Sequence, residues 1–324
     1  MNGQETVPAL RLGTRRSALA MAQSGMVAEE VAKVTGRRVE LVEITTFGDV
    51  SRESLAQIGG TGVFVSALRD ALLDGRIDLA VHSLKDLPTT APAGLLLAAV
   101  PEREDVRDAL IARDGLSLAE LVARSDGRTV RIGTGSPRRM AQLNAWARAR
   151  GADLETVAIR GNVDTRIGYV TDGRLDAVVL ATAGLNRLGR SAEITDHLDT
   201  VLMLPAPGQG ALAVECIDPT LAAALGALDH TPTRAAVVAE RALLATLEAG
   251  CSAPVAALAA WHGAELRLDA VVGTPDGVEL LKMSANGPLV PDDAAEEQAA
   301  ALGRALAARL LETGAADLMG ERAR

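Results

Sequence analysis

Arg11-Leu-Gly-Thr14, followed by a serine and a helix-forming run, recurs as Arg131-Ile-Gly-Thr134, again with a serine and a helix-forming run behind it. Further along, Asp74-Gly-Arg-Ile-Asp78 recurs as Asp172-Gly-Arg-Leu-Asp176, each opening an apolar stretch. Two landmarks repeated in the same order read as two copies of one lobe; the competing reading is chance likeness between βα units. Around the first copy, Leu10–Gly13 reads as a short strand and Ser17 as the N-cap of a helix through Val34. Val39–Thr45 alternates as a strand, Val63–Leu73 repeats apolar residues at helical spacing, and Ile77–Val81 is a buried strand. Around the second copy the order is strand Thr129–Gly133, helix Pro137–Arg150, strand Leu154–Ile159, helix Val163–Thr171 and strand Leu175–Leu180. This alternation predicts an α/β protein of two similar doubly wound lobes, with parallel sheets covered by helices. Such sheets bind ligands at the carboxyl ends of their strands.

From Thr231 the pattern changes. Pro232–Glu248 reads as an amphipathic helix with Thr231 as its N-cap, ending at Gly250. Alternating segments at Val255–Trp261, Glu265–Val272 and Val278–Met283 follow, joined by turns such as Pro275-Asp276-Gly277, and a last helix spans Asp292–Thr313. Strands grouped beside helices predict a small α+β C-terminal domain. Leu204-Pro-Ala-Pro-Gly-Gln-Gly210 reads as a crossover back from the second lobe, so the first lobe is expected to be discontinuous.

The whole chain has 324 residues, 48% of them hydrophobic and only 2% aromatic, so its cores must be built from Leu, Val, Ile and Ala. A formal charge of -9 and so few aromatics argue against nucleic acid as a partner. Apolar runs such as Leu95–Val100 and Leu175–Ala183 are too short to span a bilayer, and the polar start of the chain resembles no signal peptide. The cytoplasm is the expected compartment. Two cysteines cannot build a disulfide framework, and the four histidines (His82, His197, His230, His262) have no metal-ligand spacing.

Against that acidic background, arginines gather in loops after strands. Gly13-Thr-Arg-Arg-Ser17 supplies Arg15 and Ser17; Gly133-Thr-Gly-Ser-Pro-Arg-Arg139 supplies Thr134, Ser136, Arg138 and Arg139. Arg160, Asn162 and Arg166 follow the next strand, and Arg187 the one after. One such arginine reads best as a solvated charge; several in equivalent loops predict a polyanionic ligand, because guanidinium forks and helix N-termini both bind carboxylate or phosphate. The nucleotide signatures are missing: the one loose G-x-G-x-x-A match, at Gly208–Ala213, runs into an apolar strand-like stretch rather than opening a helix.

Val81-His-Ser-Leu-Lys-Asp-Leu-Pro88 directly follows a buried strand. Ser83 and Lys85 suit an anion, and Asp86 puts a carboxylate among cations, fit to stabilise a developing positive charge or to shuttle a proton. An ordinary ion pair at a strand end is the plainer reading. Cys251, in Leu247-Glu-Ala-Gly-Cys-Ser-Ala-Pro254, sits on a tight loop and suits a nucleophile or an attachment point; Cys216 reads as a small buried apolar residue.

Together these segments resemble the porphobilinogen deaminase (hydroxymethylbilane synthase) family along essentially the whole chain. The blocks are Gly-Thr-Arg-Arg-Ser at 13–17, Gly-Gly-Thr-Gly-Val-Phe at 59–64, His-Ser-Leu-Lys-Asp-Leu-Pro at 82–88 and Gly-Ser-Pro-Arg-Arg at 135–139. Arg-Gly-Asn-Val-Asp-Thr-Arg at 160–166, Leu-Pro-Ala-Pro-Gly-Gln-Gly at 204–210 and Glu-Ala-Gly-Cys at 248–251 complete the ordered set. The resemblance implies a cytoplasmic, monomeric transferase that joins four porphobilinogen molecules, with loss of ammonia, into linear hydroxymethylbilane, which passes to uroporphyrinogen-III synthase. It implies a dipyrromethane cofactor held by a thioether to Cys251, and Asp86 as the catalytic carboxylate that stabilises the cationic azafulvene. Cofactor binding falls to Ser83, Lys85, Thr134, Ser136, Arg138, Arg139 and Arg166. Substrate binding falls to Arg15, Ser17, Arg160, Asn162, Arg187, Phe64 and Gln209. The implied division is 1–103 with 205–228 as the first lobe, 104–204 as the second, and 229–324 as the C-terminal domain. Thr61 stands where the family often has lysine, Gln57 is likewise uncharged, and Ala249 replaces a usual glycine. A solute-binding module and a phosphate-ester enzyme are the rival readings; a pure binder needs neither Asp86 nor an accessible loop cysteine, and a phosphate-ester enzyme would not consume porphobilinogen.

Overall fold

The computed structural model describes residues 8–45, 62–90, 92–250, 253–288 and 294–319. The chain forms two compact units, Met1–Arg103 with Ala211–Arg234, and Glu104–Gly210 with Ala235–Arg324.

In the first unit the strands are β1 (Leu10–Thr14), β2 (Val39–Glu43), β3 (Leu79–Ser83), β4 (Leu96–Ala99) and, after an excursion through the second unit, β10 (Leu212–Cys216). They form one sheet in the order β2-β1-β3-β10-β4. The first three are parallel, whereas β10 runs antiparallel to both β3 and β4. Helix α1 (Ala18–Thr35) begins as the sequence predicts: the Ser17 hydroxyl accepts the Ala20 N–H, and Gly36, at φ 66°, closes the far end in the left-handed conformation. Helix α2 covers Gly62–Leu73. β3 starts later than the predicted Ile77, because the N–H groups of Arg76 and Ile77 turn back to the Ala71 carbonyl and finish α2. Leu10, Leu12, Leu79 and Val214 pack with Val27 and Val31 of α1 on one face of the sheet. Leu68, Leu72, Ile77 and Ala80 fill the other.

The second unit repeats this plan. Its strands β5 (Asp108–Ala112), β6 (Val130–Thr134), β7 (Leu154–Ala158), β8 (Ala177–Ala181) and β9 (Asp196–Leu198) lie in the order β7-β6-β8-β5-β9. Again the first three strands are parallel and the fourth, β5, runs antiparallel to both its neighbours, β8 and β9. The repeated aspartates have the same task in both sheets. The Asp78 carboxylate accepts the Arg11 backbone N–H and Asp176 that of Arg131, while each aspartate's own N–H returns to the arginine carbonyl. The duplication is therefore present in register and hydrogen bonding. The sheets are mixed rather than purely parallel, because the fourth strand of each lies outside the repeated βα run, β10 after the return from the second unit and β5 ahead of β6, and runs against its neighbours.

Helices α3 (Leu118–Ala123), α4 (Pro137–Arg150), α5 (Val163–Thr171) and α6 (Thr182–Arg187) belong to the second unit, and α7 (Pro219–Leu225) to the first. α8 (Thr231–Thr246) opens one residue before the predicted Pro232. Its first turn is closed by the His230 carbonyl, which accepts the Arg234 N–H, so Thr231 is not the cap. Beyond α8, Glu248 takes the left-handed conformation at φ 52° and Ala249 does not, so alanine in place of glycine at 249 carries no strain of that kind. The C-terminal domain is an antiparallel sheet of β11 (Val255–His262), β12 (Glu265–Gly273) and β13 (Leu280–Pro288), with α9 (Ala295–Glu312) and α10 (Ala315–Met319). Leu243, Leu266, Leu268, Leu306 and Leu310 centre its core. Gly303 lets α9 approach α8, since a Cβ there would lie 2.2 Å from the Ala239 carbonyl.

Candidate active site

At the carboxyl edge of the first sheet, two adjacent parallel strands deliver their loops together. β1 hands over to half-buried Arg15 and the capping Ser17; β3 hands over to Ser83 and a single turn, Leu84–Asp86. Leu84 and Leu87 are buried and anchor that turn, with Leu84 N–H on the Ala211 carbonyl at 3.0 Å and Leu87 N–H on the Leu84 carbonyl at 3.1 Å. The two residues between the anchors, Lys85 and Asp86, are thereby left half-buried at the edge. Phe64 lies on α2, but its side chain, with Thr61 and Gln57, is outside the described residues. So is Cys251, which follows Gly250 at the edge of the described chain.

In the second unit the corresponding edge is arginine-rich, but the arginines are not alike. Thr134 is buried at the end of β6, and its hydroxyl accepts the Ser136 N–H. Pro137 starts α4, so Arg138 and Arg139 fall in the first helical turn, and both point inward, only 4% and 5% exposed. Both guanidinium groups meet one carboxylate, Asp108 at the start of β5, at 2.8 and 2.7 Å. Gln209 donates to the same aspartate at 2.9 Å. Arg138 also donates to the Leu204 carbonyl and Arg139 to that of Val179. Two buried cations on one carboxylate leave an excess positive charge, and burial pushes the Arg138 pKa down despite Asp108 beside it. Arg138 Nε is buried with no hydrogen-bond partner.

The remaining loops are more open. Arg160 is exposed and, among the described residues, makes no ion pair. Asn162 caps α5 through Thr165, and the Arg166 Nε–H donates to the Gly161 carbonyl at 2.8 Å. Arg187, its pKa lowered by burial, donates at 2.6 Å to the Gly210 carbonyl, which also accepts the Glu104 N–H. The crossover loop 204–210 is held from several sides: Gln142 pairs with both backbone groups of Leu204, and Glu240, fully buried on α8, accepts the Gly208 and Ala259 N–H groups.

Of the residues named from sequence, the structure thus brings Arg138, Arg139 and Gln209 together on Asp108. It groups Arg15 and Ser17 with Ser83, Lys85 and Asp86 at one sheet edge, and places Arg160, Asn162, Arg166 and Arg187 on the other unit's edge. Sequence reading missed Asp108 and Glu240. The available signal for Asp108 was a carboxylate opening an otherwise apolar strand, Asp-Ala-Leu-Ile-Ala at 108–112. Among the described residues no group of His, Cys, Asp and Glu could hold a metal, and no helix is long and apolar enough to cross a membrane.

Comparison with known proteins gives a family for this geometry. The model of the porphobilinogen deaminase dipyrromethane-cofactor-binding domain matches residues 10–223, and that of the porphobilinogen deaminase C-terminal domain matches residues 234–312. The chain is 65% identical to porphobilinogen deaminase 1 of Streptomyces avermitilis, over 97% of this chain and 98% of that one. It is 64% identical to porphobilinogen deaminase 1 of Streptomyces coelicolor, over 98% and 99%. Among solved structures it is similar to the periplasmic VFT2 domain of BvgS from Bordetella pertussis, with a TM-score of 0.34 and 19% identity over 68% of this chain and 86% of that one. The two family models between them take in both sheets and the C-terminal domain, and the chain belongs to the porphobilinogen deaminase family.

Proposed function

We propose that this chain joins four porphobilinogen molecules, with loss of ammonia, into linear hydroxymethylbilane, and that Cys251 anchors its dipyrromethane cofactor through a thioether while Asp86 is the catalytic carboxylate. The observation that carries this is the buried pair of guanidinium groups on Asp108, with its excess positive charge and the orphaned Arg138 Nε. A buried charge in that state calls for an anion. Porphobilinogen and the pyrroles derived from it carry an acetate and a propionate on each ring, so these residues fit the cofactor's carboxylates. Arg138, Arg139, Thr134, Ser136 and Arg166, and likewise Ser83 and Lys85, are the residues we assign to it. When bound, the dipyrromethane supplies the primer on which the chain grows and which stays with the enzyme.

The remaining chemistry falls to the chain's own groups. Loss of ammonia leaves positive charge on the pyrrole, and a carboxylate fixed at that point stabilises it electrostatically. Asp86 suits this because its turn is pinned at both ends by buried leucines. Arg15 and Ser17 at the same edge, and Arg160, Asn162, Arg187, Gln209 and Phe64, are assigned to the incoming porphobilinogen and the growing chain. We further propose a cytoplasmic monomer whose product passes to uroporphyrinogen-III synthase. Asp86→Asn tests the central assignment. It should retain the cofactor mass while kcat falls about 100-fold or more, the size of effect seen when a fixed electrostatic group is removed. Full turnover would refute the role of Asp86.

A further inference from the structure

Behind the Asp86 turn, the first unit buries three ionisable side chains that the reading above does not use. Arg69 on α2 donates to both carboxylate oxygens of Glu215 on β10, at 3.0 and 2.7 Å. His82 Nε2, on β3, lies 3.2 Å from Glu215 Oε2. The three side chains are 7%, 4% and 2% exposed. His82 precedes Ser83, so its ring lies on the opposite face of β3 from that side chain and cannot reach a ligand held at the edge.

The duplication supplies an internal control. Ala80 is paired with Glu215 and lies beside Gly13; in the second unit Val178 is paired with Ile111 and lies beside Gly133. Glu215 therefore corresponds to Ile111 and, by the same register, His82 to Leu180. Arg69 stands as far before Asp78 as Ile167 stands before Asp176. The two helices also end identically, with Arg76 and Ile77 bonded to the Ala71 carbonyl and Arg174 and Leu175 to that of Tyr169. The places filled by Arg69, His82 and Glu215 in one unit are thus filled by Ile167, Leu180 and Ile111 in the other, and those three belong to one apolar cluster.

The fold does not require charge at these positions. Buried ion pairs gain little over apolar packing of the same volume, so stability does not account for them either. What distinguishes the first unit is the turn that follows β3: Lys85 and Asp86 there correspond to Ala183 and Gly184 in the second unit, which carry no ionisable group. We propose that Arg69, His82 and Glu215 are positioning residues for the Asp86 turn. The two Arg69–Glu215 hydrogen bonds fix α2 against β10, and the buried His82 on β3 lies against the same carboxylate without bonding to it, an arrangement more restrictive than apolar side chains would give. The proposal rests on Asp86 being the catalytic carboxylate.

The test replaces the three residues with those of the second unit, Arg69→Ile, His82→Leu and Glu215→Ile in one full-length chain, assayed beside Asp86→Asn. The expected protein is folded, carries the cofactor mass and melts no lower than the parent, while kcat falls about tenfold or more and KM stays within about twofold. A parental kcat, a change confined to KM, or loss of the attached mass overturns the proposal. If the triple variant does not accumulate folded, His82→Leu alone decides by the same readouts, because it leaves the Arg69–Glu215 pair intact. There a kcat loss of about threefold or more at unchanged KM supports the proposal, and an unchanged kcat overturns it. An inactive Asp86→Asn beside a fully active triple variant sinks only the positioning role. A fully active Asp86→Asn removes the reading on which it rests.

Discussion

Asp108 and Glu215 are both buried carboxylates, yet their charge surroundings differ. Asp108 faces Arg138 and Arg139 and leaves a positive excess; Glu215 faces Arg69 and His82 and is itself held strongly ionised. Burial alone would raise the Glu215 pKa, but the Arg69 guanidinium bonded to both its oxygens, with His82 beside it, outweighs burial and brings the group from 4.5 down to about 2. A carboxyl with a depressed folded-state pKa contributes its full stability above the unfolded value and loses it as pH falls through the folded one. The window for Glu215 is therefore pH 4.5 down to about 2. Across it the wild type should lose about 3 kcal/mol more of unfolding free energy than the triple variant lacking Glu215, measured by urea titration at each pH. Parallel acid profiles for the two proteins would show that Glu215 is not held ionised by its partners.

At the scale of elements, the repeated Arg-Leu/Ile-Gly-Thr and Asp-Gly-Arg-Ile/Leu-Asp landmarks made the duplication legible, because each marks a strand start fixed by the same aspartate-to-backbone bonds. Short β4, β5 and β9 were not legible: Leu96–Ala99, Asp108–Ala112 and Asp196–Leu198 are too brief to show a period, and their pairing is decided by distant partners. The arginine loops were readable as cationic, but not which arginines turn inward, since that depends on Asp108, far away in the chain. The turn Pro275-Asp276-Gly277 was predicted as a hairpin, and the structure gives it a second task against α4. Asn144 donates to the Pro275 carbonyl at 2.8 Å, and a Cβ on Gly277, at φ 68°, would lie 2.4 Å from the Ala145 nitrogen. Gly277→Ala should therefore destabilise by about 2–3 kcal/mol, combining left-handed strain with the clash. Gly263→Ala, at φ 64° in open space, should cost only about 1 kcal/mol. Equal shifts in the urea midpoints would mean that the hairpin does not depend on close approach to α4.

At the scale of the whole molecule, a chain of net charge -9 handles ligands that are themselves anionic, so attraction must come from local groups rather than the overall field. The two units divide that work. One ends β3 in the turn that carries Asp86; the other ends its parallel strands in guanidinium-bearing loops, two of the arginines buried in excess of their counter-charge. A polyanion that gains two carboxylates with every porphobilinogen added is the ligand such an arrangement suits, provided its first unit is tethered. The intact mass of the protein as purified tests that claim most directly. The account predicts a mass above that of the bare chain by two pyrrole units, present in the wild type and in Asp86→Asn and absent in Cys251→Ser. An unmodified wild-type chain that gains no mass on incubation with porphobilinogen would contradict it.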